Sequence, residues 1–365
     1  MDLAAQQAEV DDEVRAGIDE VFATTAFVGG PAVGRFEAAY AAAVGVQHCV
    51  GVANGTDALE LALRAVGVGP GDEVVLPANT FVATAEAASR IGAVPVPVDV
   101  DPAQLLMDPA AARAAVGPRT GAVVPVHLFG QVAPVEELLK TAADAGVPLV
   151  EDAAQAQGAH RNGRPAGGMG LAAATSFYPG KNLGAAGDAG GVTTDDADVA
   201  RTVRLLGGHG SARRYDHEVV GMNSRLDTVQ AVVLAAKLRR LAGWNARRRV
   251  AAARYADLLA GVDGVRVPGS AAGNEDVWHL YVVQVEERDR VLAALHAAGV
   301  GAGVHYPVPV HLTGAYAHLG LGRGAFPVAE AAADRVLSLP MYPHLTAAQQ
   351  ERVVEVLAAA VAGSS

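Results

Sequence analysis

The chain has 365 residues, of which 51% are hydrophobic and 18% charged, and its formal net charge is −11. This hydrophobic content is typical of a globular protein, and the length predicts two cores, because a single core rarely grows beyond about 250–300 residues. The acidic balance argues against partners that need a basic face, so we expect neither nucleic acid nor an anionic membrane among the partners.

Cysteine content and hydropathy together predict a cytoplasmic protein. Cys49 is the single cysteine, which rules out an intrachain disulfide and fits a reducing compartment. The first residues, MDLAAQQAEVDDEVRAG, are acidic and lack the basic and apolar regions of a signal peptide. No apolar run approaches the roughly 18 residues that a membrane span needs.

Between residue 46 and about residue 200, apolar strand-like runs alternate with helical runs rich in alanine and leucine. In chain order the predicted strands are QHCVGVAN, EVVLPA, VPVPVDV, GAVVPVHLF and VPLVED. The predicted helices among them are GTDALELALRAVG, TAEAASRIG and APVEELLKTAADAG. This alternation predicts βαβ units in a parallel sheet that is covered by helices on both faces.

The character of the chain changes in its last third. Residues 224–261 predict one long helix, or two joined ones, with a basic second half. Beyond them, VWHLYVVQVEERDRVLAALHAAGV and GVHYPVPVHL predict a strand, a helix and a proline-rich loop. We therefore expect a large doubly wound α/β domain over residues 1–245 and a small C-terminal α/β domain over residues 246–365.

Several familiar site patterns are absent or weak. A P-loop would need glycine at position 175 and serine or threonine at position 182, where this chain has Thr175 and Asn182. No G-x-G-x-x-G follows the first predicted strand, which argues against a nicotinamide-binding domain. His305 and His311 lie near each other without a cysteine or clustered acid, so we expect no metal site.

Three features remain, each with an ordinary structural alternative. The segment Gly55–Asp57 follows a predicted strand and opens a helix, so it forms an anion site or simply a helix cap. Asp152 ends the strand VPLVED, where ligands bind in open α/β sheets, or it caps the next turn. Lys181, in SFYPGKNLGAAGDAGG, is a lone lysine among small residues.

Taken together, these three features predict a pyridoxal 5′-phosphate site. The helix start would hold the phosphate, and the carboxylate of Asp152 would keep the pyridine nitrogen protonated so that the ring acts as an electron sink. Lys181 would form the Schiff base. Lys181 and Asp152 are therefore the predicted catalytic residues.

Four separated segments, VEDAAQAQGA, SFYPGKNLGAAGDAGGVTT, GMNSRLDTVQA and HYPVPVHL, resemble the DegT–DnrJ–StrS family of pyridoxal phosphate-dependent sugar aminotransferases. The similarity runs in order from FVGGPAVGRFE, near residue 25, to LSLPMYPHLT, near residue 346. It implies fold type I of the pyridoxal phosphate enzymes, the aspartate aminotransferase-like fold with a large and a small domain.

The resemblance also implies roles for individual residues. The cofactor would be bound by Gly55, Thr56 and Ser176 at its phosphate, Asp152 at its ring nitrogen, Gln155 at its ring hydroxyl, Phe81 on its ring face and Lys181 at its aldehyde carbon. From the neighbouring subunit, Asn223 would reach the phosphate, and Arg225 would join it there. His305 and Tyr306 would line the sugar-nucleotide pocket. Members of this family are homodimers with active sites at the subunit interface, so the resemblance implies the same assembly for this chain.

The implied reaction moves an amino group from L-glutamate to a nucleotide-linked keto-deoxysugar. The segments EDAAQAQGA and YDHEVVGMNSRLD are most similar in sequence to the corresponding segments of enzymes that aminate dTDP-3-oxo-6-deoxyhexoses in glycoside or antibiotic biosynthesis. A 4-oxo sugar is the alternative substrate. One branch of the family replaces the lysine by histidine and dehydrates its substrate, whereas this chain keeps Lys181. A non-catalytic regulatory protein on the same fold is the alternative from another class.

Overall fold

The computed structural model describes residues 2–213 and 215–363. The α-helices α1 to α12 are Leu3–Ala8, Asp11–Thr24, Pro31–Val44, Gly55–Ala65, Val82–Arg90, Pro109–Ala115, Val135–Ala145, Ala197–Gly207, Thr228–Leu259, Arg288–Ala297, Pro327–Arg335 and Ala347–Ala362. The strands β1 to β15 are His48–Val52, Glu73–Pro77, Val94–Val98, Thr120–Val123, Val150–Asp152, His160–Arg161, Arg164–Pro165, Ala172–Ser176, Gly190–Thr194, Ser211–Arg213, Asp216–His217, Val265–Arg266, Asn274–Glu275, Tyr281–Val285 and Val336–Leu339. Among the described residues, no helix is both long and apolar enough to cross a membrane.

A mostly parallel sheet forms the centre of the larger part of the molecule. Its strands pair in two groups, β1-β9-β8-β5 and β4-β2-β3. Parallel bridges from Val123 to Leu149 and from Val126 to Asp152 join the two groups along the line of β4 and β5. Strand β9 is antiparallel to both of its neighbours, whereas β2 runs parallel to β3 and β4, and β5 runs parallel to β8. The predicted mixed α/β fold with a mostly parallel sheet is confirmed.

Prolines explain two details of this sheet. Strand β3 contains Pro95 and Pro97 and pairs only with β2, so it lies at the sheet edge, where a missing N–H is tolerated. The predicted strand GAVVPVHLF is shorter than expected, because β4 ends at Val123, just before Pro125. Beyond Pro125 the backbone still pairs with the end of β5, through the bridge from Val126 to Asp152, and then makes a short 3₁₀ turn over Leu128–Gly130.

A second core lies around a small antiparallel sheet with strand order β12-β14-β15. Helix α9 is one continuous helix that contributes to both cores. Leu234 and Leu241 of α9 pack with α3, whereas Tyr255 and Leu259 pack with β14, β15, α10 and α12. The proposed division between residues 245 and 246 lies between these two halves of the helix and stays a prediction.

Candidate active site

A cavity of about 950 Å³ lies where the carboxyl ends of the central strands face the small sheet. In the parallel ladder of β5 and β8, Asp152 pairs with Ala174, so both strands end at one edge of the sheet. Ligands of open α/β sheets bind at this edge. The predicted site residues that line the cavity are Gly55, Thr56, Phe81, Asp152, Gln155, Ser176, Lys181, His305 and Tyr306.

The first turn of α4 forms one end of the cavity. Asn54 is the N-cap, and its side-chain oxygen accepts the N–H of Asp57 at 2.8 Å. Helix geometry leaves the N–H groups of Gly55 and Thr56 without intrahelical partners, and the helix dipole favours an anion there. A Cβ on Gly55 would lie 2.5 Å from the Cβ of Ser176, so only glycine lets the helix start approach the end of β8 this closely.

Asp152 is a buried carboxylate on the cavity floor. Its Oδ2 accepts the hydroxyl of Thr84 at 2.8 Å, and its Oδ1 accepts the N–H of Ala154 at 3.1 Å. Burial raises the pKa of Asp152, although these two hydrogen bonds and the charge of Lys181 oppose the shift. A cation placed beside this carboxylate would be stabilised, because it would offset the cost of burying the charge.

Lys181 lies in a tight loop between β8 and β9. Its backbone N–H donates to the carbonyl of Tyr178 at 2.8 Å. A Cβ on Gly184 would lie 2.4 Å from the carbonyl oxygen of Pro179, which explains a glycine there. Helix α9 holds the far side of the loop, since Lys237 Nζ donates to the carbonyl of Gly184 at 2.9 Å. The loop therefore fixes the backbone from which the Lys181 amine extends.

Burial lowers the pKa of Lys181 to about 8, and the charge of Asp152 works in the opposite direction. A sizeable fraction of the amine is therefore neutral near physiological pH, and a neutral amine is the form that acts as nucleophile or base.

We expect the rate at which the apoenzyme takes up pyridoxal phosphate on Lys181 to rise with pH around a midpoint near 8. Asp152→Asn should move that midpoint to lower pH, because it removes the negative charge that raises the pKa of Lys181. Stopped-flow absorbance across a pH series measures both enzymes. A midpoint near the ordinary lysine value of 10.5, or a shift to higher pH in Asp152→Asn, would contradict this expectation.

A hydrogen-bonded chain fixes the remaining floor of the cavity. Gln155 Oε1 accepts the N–H of Phe129 at 2.7 Å, and Gln155 Nε2 donates to the hydroxyl of Tyr306 at 3.0 Å. The ring of Tyr306 packs beside that of Phe81, with centroids 5.4 Å apart. His305 Nδ1 lies 2.8 Å from Ser338 Oγ. Both members of the predicted pair His305 and Tyr306 thus belong to the same cavity as Lys181.

Two predicted residues lie elsewhere. Asn223 and Arg225 are exposed and do not line the cavity of their own chain, and Arg225 Nε donates to Asn223 Oδ1 at 3.1 Å. Their assignment to the site of a neighbouring subunit stays a prediction. His311 is buried against Glu330, with Nε2 3.1 Å from the carboxylate.

Other residues in the cavity wall or directly behind it were missed by the sequence analysis. Thr84 orients Asp152, and its own hydroxyl lies 2.8 Å from that of Thr80. His279 also lines the cavity, although Lys181 precedes it by almost a hundred residues. Thr80 lies just before α5 and Thr84 lies in its first turn, and their four-residue spacing was a usable signal for a polar pair. Only the tertiary structure brings His279 to the site.

The arrangement fits pyridoxal phosphate. The α4 N-terminus offers N–H groups for a phosphate, Asp152 is a buried carboxylate suited to a protonated ring nitrogen, and Lys181 is an amine with a lowered pKa. On this fold, such a combination is typical of a pyridoxal phosphate-dependent enzyme.

Comparison with known proteins supports a pyridoxal phosphate site in this chain. The chain belongs to the DegT/DnrJ/EryC1/StrS aminotransferase family, whose model matches residues 8–358. It is an aminotransferase, and the predicted cofactor, pyridoxal phosphate, is confirmed.

Relatives are similar over almost their whole length. The erythromycin biosynthesis sensory transduction protein EryC1 of Saccharopolyspora erythraea is 47% identical, with 98% of each chain covered. The dTDP-3-amino-3,4,6-trideoxy-alpha-D-glucose transaminase of Streptomyces venezuelae is 45% identical, covering 97% of this chain and 94% of that one. The UDP-N-acetyl-3-dehydro-alpha-D-glucosamine 3-aminotransferase of Acidithiobacillus ferrooxidans is 46% identical, covering 98% and 96%. The crystal structure of S. venezuelae DesV in complex with a ketimine intermediate superimposes with a TM-score of 0.96 at 45% identity, covering 98% and 96%.

Proposed function

We propose that this enzyme transfers the amino group of L-glutamate to a nucleotide-linked keto-deoxysugar, and that a dTDP-3-oxo-6-deoxyhexose, which becomes a dTDP-3-amino sugar, is the preferred acceptor. The 3-aminotransferase names of two relatives that are 45% and 46% identical support amination at carbon 3. Since one of those names specifies dTDP and the other UDP, the choice of nucleotide rests on the quoted sequence segments.

The observation that carries the sugar assignment is the neutral character of the cavity wall formed by the small sheet. Burial lowers the pKa of His279 well below its usual range and lowers that of His305, and the charge of Lys181 acts in the same direction for both. Both imidazoles are therefore neutral near pH 7. Neutral acceptors suit the hydroxyl groups of a sugar.

The guanidinium of Arg90 does not change the conclusion that this wall suits a hydroxylated acceptor. Arg90 lines the cavity, but its guanidinium is already paired, at 3.3 Å with Asp57 and at 2.9 Å with Glu60. These two carboxylates offset the charge that Arg90 brings to the cavity. The wall therefore favours an uncharged, hydroxylated acceptor group.

Each catalytic residue has a defined task in this reaction. When bound, the cofactor supplies an electron sink for removal of a proton next to nitrogen. Lys181 would hold the cofactor, and its neutral Nζ, once displaced, would carry that proton as a general acid–base. Asp152 would hold the proton on the ring nitrogen, with Thr84 keeping the carboxylate in place. Gln155 retains a second amide proton that is free to donate into the cavity.

The assay that tests this function supplies glutamate with the 3-oxo and the 4-oxo dTDP-sugars, and with a UDP-linked 3-oxo sugar, and follows 2-oxoglutarate and aminated sugar. We expect the dTDP-3-oxo sugar to give the highest kcat/KM. Turnover of the 4-oxo sugar alone would overturn the regiochemistry. Dehydrated product without an amino group would point to the dehydratase alternative. A purified protein that binds the cofactor but aminates none of the three would contradict the proposal.

We also propose that the protein is a cytoplasmic homodimer with shared active sites. Apolar side chains are exposed beside the cavity and near Asn223: Phe81 is 51% exposed, Tyr178 59% and Val220 87%. Exposed apolar groups clustered in this way are typical of subunit interfaces. The exposed positions of Asn223 and Arg225 would let both side chains reach a neighbouring cavity.

Mixing two inactive variants tests the shared site. In a heterodimer of Lys181→Ala and Asn223→Ala, one active site carries both substitutions and the other carries neither, provided that Asn223 serves the partner's site. We therefore expect partial recovery of activity on mixing, up to about one active site in four at equal mixing if subunits exchange at random. Differently tagged subunits prove the exchange, and each variant alone is the control. Proven exchange without recovery would show that each site is built from one chain.

A further inference from the structure

His279 is a buried histidine in the cavity wall that the sequence analysis did not identify and that has no task in the catalytic steps outlined above. It lies just before β14, and only 7% of its surface is exposed. The same wall includes Gly303, His305 and Ser338. The phosphate end of the cavity, at Gly55 and Thr56, belongs to the other part of the molecule.

Hydrogen bonding determines which nitrogen of His279 carries the proton. Asn182 Nδ2 donates at 2.9 Å to the carbonyl of Val277, which can only accept, so the orientation of the Asn182 amide is settled. The same Nδ2 donates at 2.9 Å to Asn245 Oδ1. Asn182 Oδ1 is therefore an acceptor, and His279 Nδ1, 3.2 Å away, must be the donor.

The second nitrogen is consequently a bare acceptor. With the proton on Nδ1 and the ring neutral, Nε2 carries a lone pair. Within residues 2–213 and 215–363, Nε2 makes no hydrogen bond. Burial, the charge of Lys181 and the charge of Arg248 all lower the pKa of His279, so the acceptor persists well below neutral pH.

Arg248 anchors the backbone of this residue. The Arg248 side chain is fully buried, and its Nη1 donates to the carbonyls of Trp278 and Met341 at 3.1 Å each. His279 is thus held through its backbone by α9 and through its ring by the residue that follows Lys181. A side chain fixed at both ends loses little entropy when it binds a ligand.

We propose that His279 is a substrate-binding residue whose Nε2 accepts a hydrogen bond from a ring hydroxyl of the acceptor sugar. The inference rests on the proposed function, because it assigns a contact to the sugar. A carboxylate has no proton to donate to a neutral nitrogen, so the two carboxylates of glutamate gain nothing from this group, whereas a hydroxyl donates readily. His279 therefore acts in the sugar half of the reaction and not in the glutamate half.

The test separates the two halves of the reaction. His279→Asn keeps an N–H that can reach Asn182 Oδ1 and removes the ring acceptor. His318→Asn, at an exposed histidine that does not line the cavity, is the matched control. Both variants are compared with wild type using the accepted sugar and analogues that each lack one ring hydroxyl. The glutamate half is measured separately, in single turnovers, from the absorbance of the bound cofactor.

We expect wild type and His318→Asn to prefer the accepted sugar over one of the deoxy analogues by at least about tenfold in kcat/KM, a preference that a lost hydrogen bond to a buried acceptor explains. In His279→Asn that preference should fall to within about twofold, while the glutamate half-reaction stays within about threefold of wild type. If thermal melting shows that His279→Asn does not fold, His279→Leu, whose side chain has no hydrogen-bond acceptor, is judged by the same ratio.

Two results would overturn the inference alone. In the first, His279→Asn keeps the wild-type preference for the accepted sugar over its deoxy analogues. In the second, the rate of the glutamate half-reaction falls as much as that of the sugar half, which would make His279 a structural support of Lys181. A wild-type enzyme that aminates no nucleotide-linked keto-sugar would overturn the proposed function together with the inference.

Discussion

Lys181→Ala is expected to lower turnover by about four orders of magnitude or more, because one substitution would remove the side chain that we propose as both nucleophile and general acid–base. The variant should still fold, since burial penalises the charge of this amine and Lys181 Nζ makes no hydrogen bond among the described residues. It should also still bind pyridoxamine phosphate, whose phosphate site at α4 is untouched.

A labelling experiment can assign the cofactor-binding lysine directly, because the chain contains three lysines only: Lys140, Lys181 and Lys237. Borohydride reduction of the yellow holoenzyme, followed by peptide mapping, should fix the cofactor on Lys181. Lys237→Met is a matched control, since it removes another buried lysine that contacts the same loop. Label on Lys140 or Lys237, or a Lys181→Ala enzyme with near-normal turnover, would refute the assignment.

Asp152→Asn should lower activity by a hundredfold or more, equivalent to about 3 kcal/mol of transition-state stabilisation. An amide has the shape of the carboxylate but not its charge, so it cannot hold a proton on the ring nitrogen. The fold should survive, because the amide oxygen at position 152 can accept the N–H of Ala154 while its NH2 donates to the hydroxyl of Thr84, and the cost of a buried charge is lost.

Steady-state kinetics and cofactor titration distinguish a loss of chemistry from a loss of binding in Asp152→Asn. Asp257→Asn, on the exposed face of α9, controls for the change of one carboxylate. Activity of Asp152→Asn within about threefold of wild type would rule out the role.

Much of the fold follows from local sequence. The strands around Asp152 are continuous apolar runs because helices cover both faces of the sheet, and such runs are recognisable without a structure. Helix α9 was predicted over 224–261 and spans Thr228–Leu259, starting later because Asp227 is extended and serves as the N-cap. The sequence analysis did not anticipate α1 to α3, although Pro31 and Gly45 mark the two ends of α3, or β9, whose GGVTT resembles a loop.

The candidate site likewise combines residues that local sequence predicts with residues that only long-range contacts bring together. Lys181, Asp152 and the α4 start each carry a local signal, and the structure places all three at one cavity. Asn182 served in the sequence analysis only to exclude a P-loop. In the structure its amide joins the lysine loop to Asn245 and His279, through bonds that span 63 and 97 residues. Local periodicity contains no information about contacts at that range.

The continuity of α9 through both cores has a consequence for building chimeric enzymes from relatives of this family. Modules are ordinarily joined in exposed loops, but a joint at either end of α9 would leave half of the helix packed against a foreign core. Asn245 donates to the carbonyl of Gln157 and accepts from Asn182, whereas Arg248 donates to the carbonyls of Trp278 and Met341. A crossover between these two residues, in the middle of a regular helix, would keep each set of side-chain contacts with its own parent. Acceptor specificity could then be exchanged as a single C-terminal cassette.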